Sequence, residues 1–558
     1  MRTCWPGSAM SRSRERTSLR RPTAGGRMHR RSWPTAVSRT SPVRPGSRSS
    51  TSSRGRWTTS DSRSRPARSG KPFMSSARLY EIRGDVAPVS PCVLLDRSAG
   101  KPRGFWAAGD RWVAHAGLLG QVSVPHGAPD VASSRFGSVQ DESRRLFSRV
   151  LPARGRPEGP TNGRPRVSAD CRPRIFGGFA FSPRRKADPV WSSFPPALFH
   201  LPEVELEHRP ADGRCSLVVR GRTPDGAQRN WRRWAELLER AAASGHGVVR
   251  GVAGSPPGGD AVAGFGGPAS SAPPARVFGT DRATWGRMVW QALGKIGAGD
   301  AEKIVLARIL EVAPVQSLEP ADLVIALWEE NHGSYVFLFE PEPGEAIVGA
   351  APETIATLAD GVAKATAVAG SVRVGADSVE TAQLAQDLLD SAKDRAEQDF
   401  VVRDVVARLR RLGCTVKRDV EPHVLALARI QHLETKIAAE VPPGISLLNI
   451  LASLHPNPAV CGIPRDVARS VLTDGEDFDR GWYAGPVGFL DSEGKGIFVP
   501  ALRSAVRRGE HWRLFAGAGI VAGSDPALEW EETELKFRPV LGAIARAGAT
   551  ESTAVGTG

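Results

Sequence analysis

Two pairs of carboxylates stand three residues apart in this chain: Asp394 and Glu397 within Ser391-Ala-Lys-Asp-Arg-Ala-Glu397, and Glu529 and Glu532 within Glu529-Trp-Glu-Glu532. On a helix that spacing puts both members of a pair on one face. Carboxylates offered by two helices suit a hard divalent cation such as Mg²⁺. Just ahead of the second pair runs Phe515-Ala-Gly517-Ala518-Gly519-Ile-Val521, followed by Ser524-Asp525-Pro526. Small residues let a ligand approach the backbone, Ser524 or Asp525 can cap a helix that Pro526 opens, and the amides of a helix start favour an anion. The chemistry suggested is a cation-bridged site for an acidic ligand. Each acidic pair alone also fits a solvated, salt-bridging helix face, with Lys393 and Arg395 beside the first pair. Only their joint occurrence with the glycine-rich run singles them out.

The elements that must position these groups follow from the apolar pattern. Residues 281–297 read as an amphipathic helix, 303–310 as a buried strand with Lys303 at its entrance, and 334–340, 345–349 and 362–368 as further strands. One long helix is expected over about 378–412, closed by Gly413, with Leu384, Leu388, Val402, Val405 and Leu409 turned inward. Strands return at 487–490, 496–506 and 512–516. Between Met74 and about residue 270, short apolar segments such as 175–181 and 215–219 are separated by Gly, Pro and Asp and read as strands and turns, with Trp191 and Phe194 in the core. Residues 251–275 are rich in Gly, Pro, Ala and Ser, as a linker or long loop would be. Strand groups and helices without regular alternation mark an α+β fold.

The formal charge of +16 points to nucleic acid until it is mapped. Residues 1–73 hold 18 of the 75 basic residues and two of the 59 acids, which leaves 57 of each in the rest of the chain. The body is thus neutral, and nucleic acid is not an expected partner. The Arg- and Ser-rich segment 1–73 lacks the apolar residues that would repay ordering, so disorder is expected there, with translation starting near Met74. No apolar run reaches the ~20 residues of a membrane span. Six scattered cysteines without CxxC spacing fit a reduced, cytoplasmic setting. The expected organisation is a disordered tail over 1–73, the N-terminal part of a catalytic fold over 74–270, its core over 271–548, and a disordered end over 549–558, in a monomer.

Beyond these readings, the sequence resembles the chorismate-utilising enzymes, the family of anthranilate synthase large subunits, aminodeoxychorismate, salicylate and isochorismate synthases. The matching elements are Lys303-Ile-Val-Leu-Ala-Arg308, Gly349-Ala-Ala-Pro-Glu353, Ala369-Gly370-Ser371, Ser391 to Glu397, Gln431-His432-Leu433, Leu454 to Gly462, Tyr483-Ala-Gly-Pro-Val-Gly488, Ala501-Leu-Arg503 and Gly517 to Lys536. They cover residues 270–545 densely and 74–270 loosely. The resemblance implies an α+β fold in which two antiparallel sheets pack with helices around a single Mg²⁺-dependent site for chorismate. By position it implies Glu397 and Glu532 as metal ligands, with Asp394 and Glu529 behind them. It gives the enolpyruvyl carboxylate to Arg503 and Tyr483. Gly370, Ser371, Lys536 and the amides of Gly517, Ala518 and Gly519 complete the substrate pocket.

Members of the family differ in what attacks C2 and what leaves C4. Water at C2 needs a base, and a departing 4-hydroxyl needs an acid. By resemblance Lys303 takes the first role and Glu353 the second, with His432 assisting. Amine-adding relatives carry glutamine where Lys303 stands, and aminodeoxychorismate synthases carry lysine where Ala369 stands. Salicylate synthases usually have threonine in place of Ala459. The expected reaction is therefore reversible conversion of chorismate to isochorismate, for menaquinone or siderophore formation. Salicylate synthesis is the nearest alternative, and a non-catalytic protein binding nucleic acid through its basic tail is an alternative of another class. Two departures stand out: Gln398 occupies a place where many relatives have histidine, and Ser371 replaces a frequent threonine.

Overall fold

The structure is a computed structural model that describes residues 77–554 apart from 127–133, 154–171, 184–185, 187, 211–212, 245–274 and 315–316. The segment 1–73 and nearly all of the expected linker lie outside the described residues, although Ala275 already begins a strand, Ala275–Gly279.

Two large sheets dominate, of thirteen and ten strands among the described residues. The pairings are antiparallel except that between Leu79–Val86 and Val150–Pro152, which is parallel. The boundary expected near residue 270 does not divide the architecture. In the larger sheet, Tyr335–Glu342 lies beside Arg103–Ala108, and in the smaller, Pro486–Asp491 lies beside Arg174–Phe179. Residues 74–270 and the later part of the chain therefore build the same two sheets.

The alternation of side chains shows the layering. Along Tyr335–Glu342, Val336 and Leu338 join a core shared with the helices Pro224–Ala243, Pro320–Glu330 and Pro526–Ala554, whereas Phe337 and Phe339 face a core shared with Phe176, Leu198 and Val499 of the other sheet. A third core lies between the smaller sheet and the helices Ser134–Phe147, Ala392–Arg411 and Leu447–Leu454. The order is helices, sheet, sheet, helices, as an α+β protein with two half-buried sheets requires. Trp191 and Phe194 are fully buried between the sheets, and the Trp191 indole N–H donates to Asp479 O at 2.9 Å. Burial of each large apolar side chain contributes about 2–3 kcal/mol.

Four expectations change. The long helix over 378–412 is two helices, Ser378–Asp390 and Ala392–Arg411, because Ser391 leaves helical geometry and its hydroxyl caps the Asp394 amide. The strand over 496–506 is interrupted between Gly496–Pro500 and Ser504–Arg508, where Arg503 adopts φ 46°. The strand expected over 512–516 runs on through the glycines: Gly517–Gly519 belong to the strand His511–Ile520, paired with Lys303–Ala313. The end expected to be disordered from 549 is helical to Ala554. Among the described residues, no helix is long and apolar enough to cross a membrane.

Candidate active site

One cavity, of about 700 Å³ counting its open mouth, gathers most of the residues singled out by sequence. Lys303, Glu353, Gly370, Ser371, Glu397, His432, Tyr483, Arg503, Gly517, Gly519, Glu532 and Lys536 all line it. Val305, Ala459, Val460, Leu502 and Phe515 supply apolar wall that sequence reasoning did not assign. Asp394 and Glu529 stand behind the wall, and Ala518 is fully buried away from it.

The strand pair Lys303–Ala313 and His511–Ile520 explains the glycines. Val305 and Ala307, opposite Gly519 and Gly517, turn their N–H groups away from that partner, to Cys461 O at 2.8 Å and Glu476 Oε1 at 2.9 Å. In an antiparallel pair the residues opposite them must turn outward too, so Gly517 and Gly519 present their amides on the free edge beside the cavity. Ala518, one residue out of phase, turns its amide into the ladder, and the assignment of Ala518 to ligand binding is corrected accordingly. The Gly517 carbonyl accepts from Lys536 Nζ at 2.9 Å. A Cβ at Gly519 would come within 2.5 Å of Glu397 Oε1 and 2.9 Å of Lys303 Cε, so the missing side chain is the space in which these two meet.

Lys303 is almost fully buried, with Nζ 2.8 Å from Glu397 Oε1. Glu532 pairs with Lys536 on its own helix, and Glu529 accepts from Lys393 Nζ at 3.2 Å. The Asp394 carboxylate accepts from the Ser391 hydroxyl. As placed, no three His, Cys, Asp or Glu side chains among the described residues converge to hold a metal ion. The donor chemistry nevertheless fits Mg²⁺. Burial, with the charges of Glu397 and Glu532 adding to it, raises the Asp394 pKa, and burial together with Glu532 raises that of Glu529. A concentration of buried negative charge is thus held partly by lysines, and Glu397 and Glu532 would be the carboxylates to exchange lysine for metal.

The opposite chemistry appears around Glu353. It sits in the turn after Pro352, 3% exposed, with Oε1 buried and lacking a hydrogen-bond partner. Burial pushes its pKa up to about 8, against the lowering pull of Lys303 and Arg503, so the carboxyl is protonated at neutral pH. Arg503 is buried too, and among the described residues no carboxylate lies within ion-pair distance of it. Its Nη2 donates to His432 Nε2 at 3.0 Å, and burial lowers its pKa to about 10. The left-handed backbone at Arg503 costs roughly 1–2 kcal/mol, which fits a residue positioned for function.

His432, expected to assist Glu353, stands in the cavity wall as a neutral ring that holds Arg503. Its Nδ1–H donates to the Gly370 carbonyl at 3.0 Å, with Ser371 Oγ at 3.1 Å, which leaves Nε2 as acceptor for Arg503. Burial, with Arg503 and Lys536 adding, drives its pKa well below the usual histidine value. Gly370, at φ 67° in a bulge between Ala369 and Ser371, turns its carbonyl to that ring. Tyr483 stacks on Phe515 at 4.9 Å between centroids, and burial raises its phenol pKa to about 12. Gln398, one departure from the family pattern, donates to Ala367 O at 2.8 Å and Thr435 Oγ1 at 3.0 Å, away from the cavity wall.

This geometry, anion-receptive and bearing a protonated carboxyl, agrees with comparison to known proteins. The chain matches the model of the chorismate binding enzyme family over residues 72–545 and belongs to that family. Within it the chain is similar to isochorismate synthases. It is 33% identical over 441 residues to the salicylate biosynthesis isochorismate synthase of Pseudomonas aeruginosa, covering 75% of this chain and 84% of that protein. It is 30% identical over 379 residues to isochorismate synthase MenF of Bacillus subtilis, covering 67% and 74%. The fold is shared with the solved menaquinone-specific isochorismate synthase of Escherichia coli, at a TM-score of 0.62 and 24% identity over 84% of this chain and 95% of that one.

Proposed function

We propose that this chain is a Mg²⁺-dependent isochorismate synthase, interconverting chorismate and isochorismate by addition of water at C2 and loss of the 4-hydroxyl. The observation that carries this reading is the presence in one cavity of a buried amine, Lys303, and a buried carboxyl, Glu353, that is protonated at neutral pH. Arg503 and Lys536, with the edge amides of Gly517 and Gly519, receive the substrate carboxylates, since a guanidinium fork matches a carboxylate with parallel hydrogen bonds. In the forward direction the attacking water bonds to C2 and gives its proton to Lys303, which acts as the free amine after releasing its ion pair with Glu397 and its own proton to solvent. The ring double bonds shift, and the C4–O bond breaks as Glu353 gives its proton to the departing hydroxyl. One water enters and one leaves, so no redox partner is needed. Glu397 and Glu532 would hold Mg²⁺, which would supply a positive centre to orient the ring carboxylate.

A cytoplasmic setting goes with this reading, because the described cysteines 92, 215, 414 and 461 are all free thiols. The product would serve menaquinone or siderophore formation. The test is NMR analysis of products after incubation with chorismate and Mg²⁺. Isochorismate in equilibrium with chorismate is expected. Salicylate and pyruvate as the main products would overturn the reading in favour of a salicylate synthase, and absence of turnover would reject it.

A further inference from the structure

The strand Lys303–Ala313 has a gap along one edge. Lys303 and Ile304 pair with Ile463 and Gly462, and Leu310–Ala313 pair with Ala275–Gly279, but among the described residues no strand covers this edge in between. The Thr280 hydroxyl accepts from the Ile309 amide at its far end, and two charged side chains occupy the rest. Glu476 Oε1 accepts from the Ala307 amide at 2.9 Å, and Arg480 Nη2 donates to the Val305 carbonyl at 2.7 Å. A carboxylate stands where a neighbouring strand would offer a carbonyl, and a guanidinium where it would offer an amide. The two are paired with each other, 3% and 5% exposed, with Arg480 Nε donating to Glu476 Oε2 at 2.8 Å.

The guanidinium reaches two further walls. Its Nη1 donates to the Val460 carbonyl at 2.9 Å, and its plane lies 4.7 Å from the Phe181 ring and 5.9 Å from the Tyr483 ring. The Arg480 carbonyl accepts from the Tyr483 amide at 2.8 Å. Val305, Val460 and Tyr483 all line the cavity into which Lys303 projects. One ion pair thus ties together the strand bearing the proposed base, the Ala459–Val460 wall and the tyrosine.

We infer that Glu476 and Arg480 form a positioning unit, which sets the spacing between the Lys303 strand and the wall carrying Val460 and Tyr483. Neither residue lines the cavity, so neither is a catalytic residue. The inference rests on the proposed conversion of chorismate, and wild-type turnover tests that reading separately. Lysine at 480 keeps the charge but cannot serve Glu476, Val305 and Val460 from one planar fork.

The experiment compares wild type with Arg480→Lys, Glu476→Gln and Phe181→Leu in the full chain. Turnover of chorismate is measured with saturating Mg²⁺, and kcat and KM are expressed per folded molecule at a temperature where circular dichroism shows each variant folded. Arg480→Lys and Glu476→Gln are expected to lose 10- to 100-fold in kcat, with KM changed less than threefold. Phe181→Leu keeps the ion pair and removes the ring that flanks the guanidinium and packs edge-on against His455, and a 2- to 5-fold loss in the same parameter is expected. A purely structural role would lower the folded fraction and leave kcat per folded molecule unchanged. Wild-type kcat in folded Arg480→Lys would overturn the inference. Should the two ion-pair variants fail to fold, an unchanged kcat in Phe181→Leu would overturn it instead. A wild-type protein inert toward chorismate would reject the proposed function, a different failure from an active wild type with equally active variants.

Discussion

Two regions of this molecule bury arginine beside glutamate, to opposite ends. In the early part of the larger sheet, Arg220 lies 2.8 Å from Glu81 and 2.6 Å from Glu205, and Arg174, reaching across from the smaller sheet, lies 2.7 Å from Glu205 and 3.0 Å from Glu207. Every charge there faces its opposite, and although burial opposes it, the two guanidinia hold the Glu205 pKa down at about 2. In the cavity, Arg503 has a neutral histidine for its neighbour and Glu353 is pushed up to about 8. The first set is closed on itself, each charge ion-paired within it. The second is open, with a guanidinium awaiting an anion and a carboxyl awaiting a proton acceptor, which is how perturbed groups mark a reactive site.

The sharpest break of this contrast comes from the open set. Lys303→Ala and Glu353→Gln should each lower chorismate turnover by about 10³-fold or more, measured by NMR, with ligand binding in the presence of Mg²⁺ largely kept. Full activity in either variant would remove its assigned role. The closed set should answer differently. Glu205→Gln removes the carboxylate shared by Arg220 and Arg174, leaving them only Glu81 and Glu207, and should cost about 3 kcal/mol in denaturant unfolding, with kcat per folded molecule unchanged. A large loss of kcat there would mean that the network is not merely structural.

Titration separates the two sets again. The Glu353 pKa is raised on folding, so its contribution to stability is fully present below about 4.5 and is lost as pH rises through about 8. The melting temperature of Glu353→Gln should therefore gain on wild type between pH 5 and 8, corresponding to roughly 3 kcal/mol by pH 7. Forward turnover should fall as pH passes about 8, where the acid loses its proton. Arg503→Lys is the mildest change. It keeps a cation but loses the fork and the hold of His432, and KM for chorismate should rise about 10-fold with a smaller effect on kcat.

Sequence made the cavity legible where residue type and chemistry coincide. The paired acids stood out by type and spacing and Lys303 by its place at a strand entrance, whereas Glu353, Arg503 and the role of Lys303 followed from the family resemblance. Glu476 and Arg480 did not stand out, since a Glu and an Arg four apart also describe an ordinary exposed helix pair. The α+β class and most strands followed from apolar alternation. The break at Ser391 was missed because apolar periodicity continues on both sides of it, and only the cap of Asp394 shows that the helix restarts. The strand through Gly517 and Gly519 was missed because glycine disfavours strands by propensity, while here it makes room for Glu397 and Lys303. The neutral state of His432 was beyond reach, because it depends on a carbonyl and a guanidinium far away in sequence.

The helix Pro526–Ala554 gives the site a timetable. Its face toward the cavity carries Glu529, Glu532 and Lys536, while Thr533 and Glu534 take hydrogen bonds from Arg308, whose guanidinium also lies 3.6 Å from the Trp530 ring. On a ribosome releasing the chain from its N-terminus, Lys303, Glu353 and Arg503 emerge long before these partners. A nascent chain stopped at residue 525 would hold base, acid and arginine with half of the carboxylates missing and Arg308 deprived of its seat. Completion of the cavity therefore awaits the last helix, whose Glu532 and Lys536 form part of its wall.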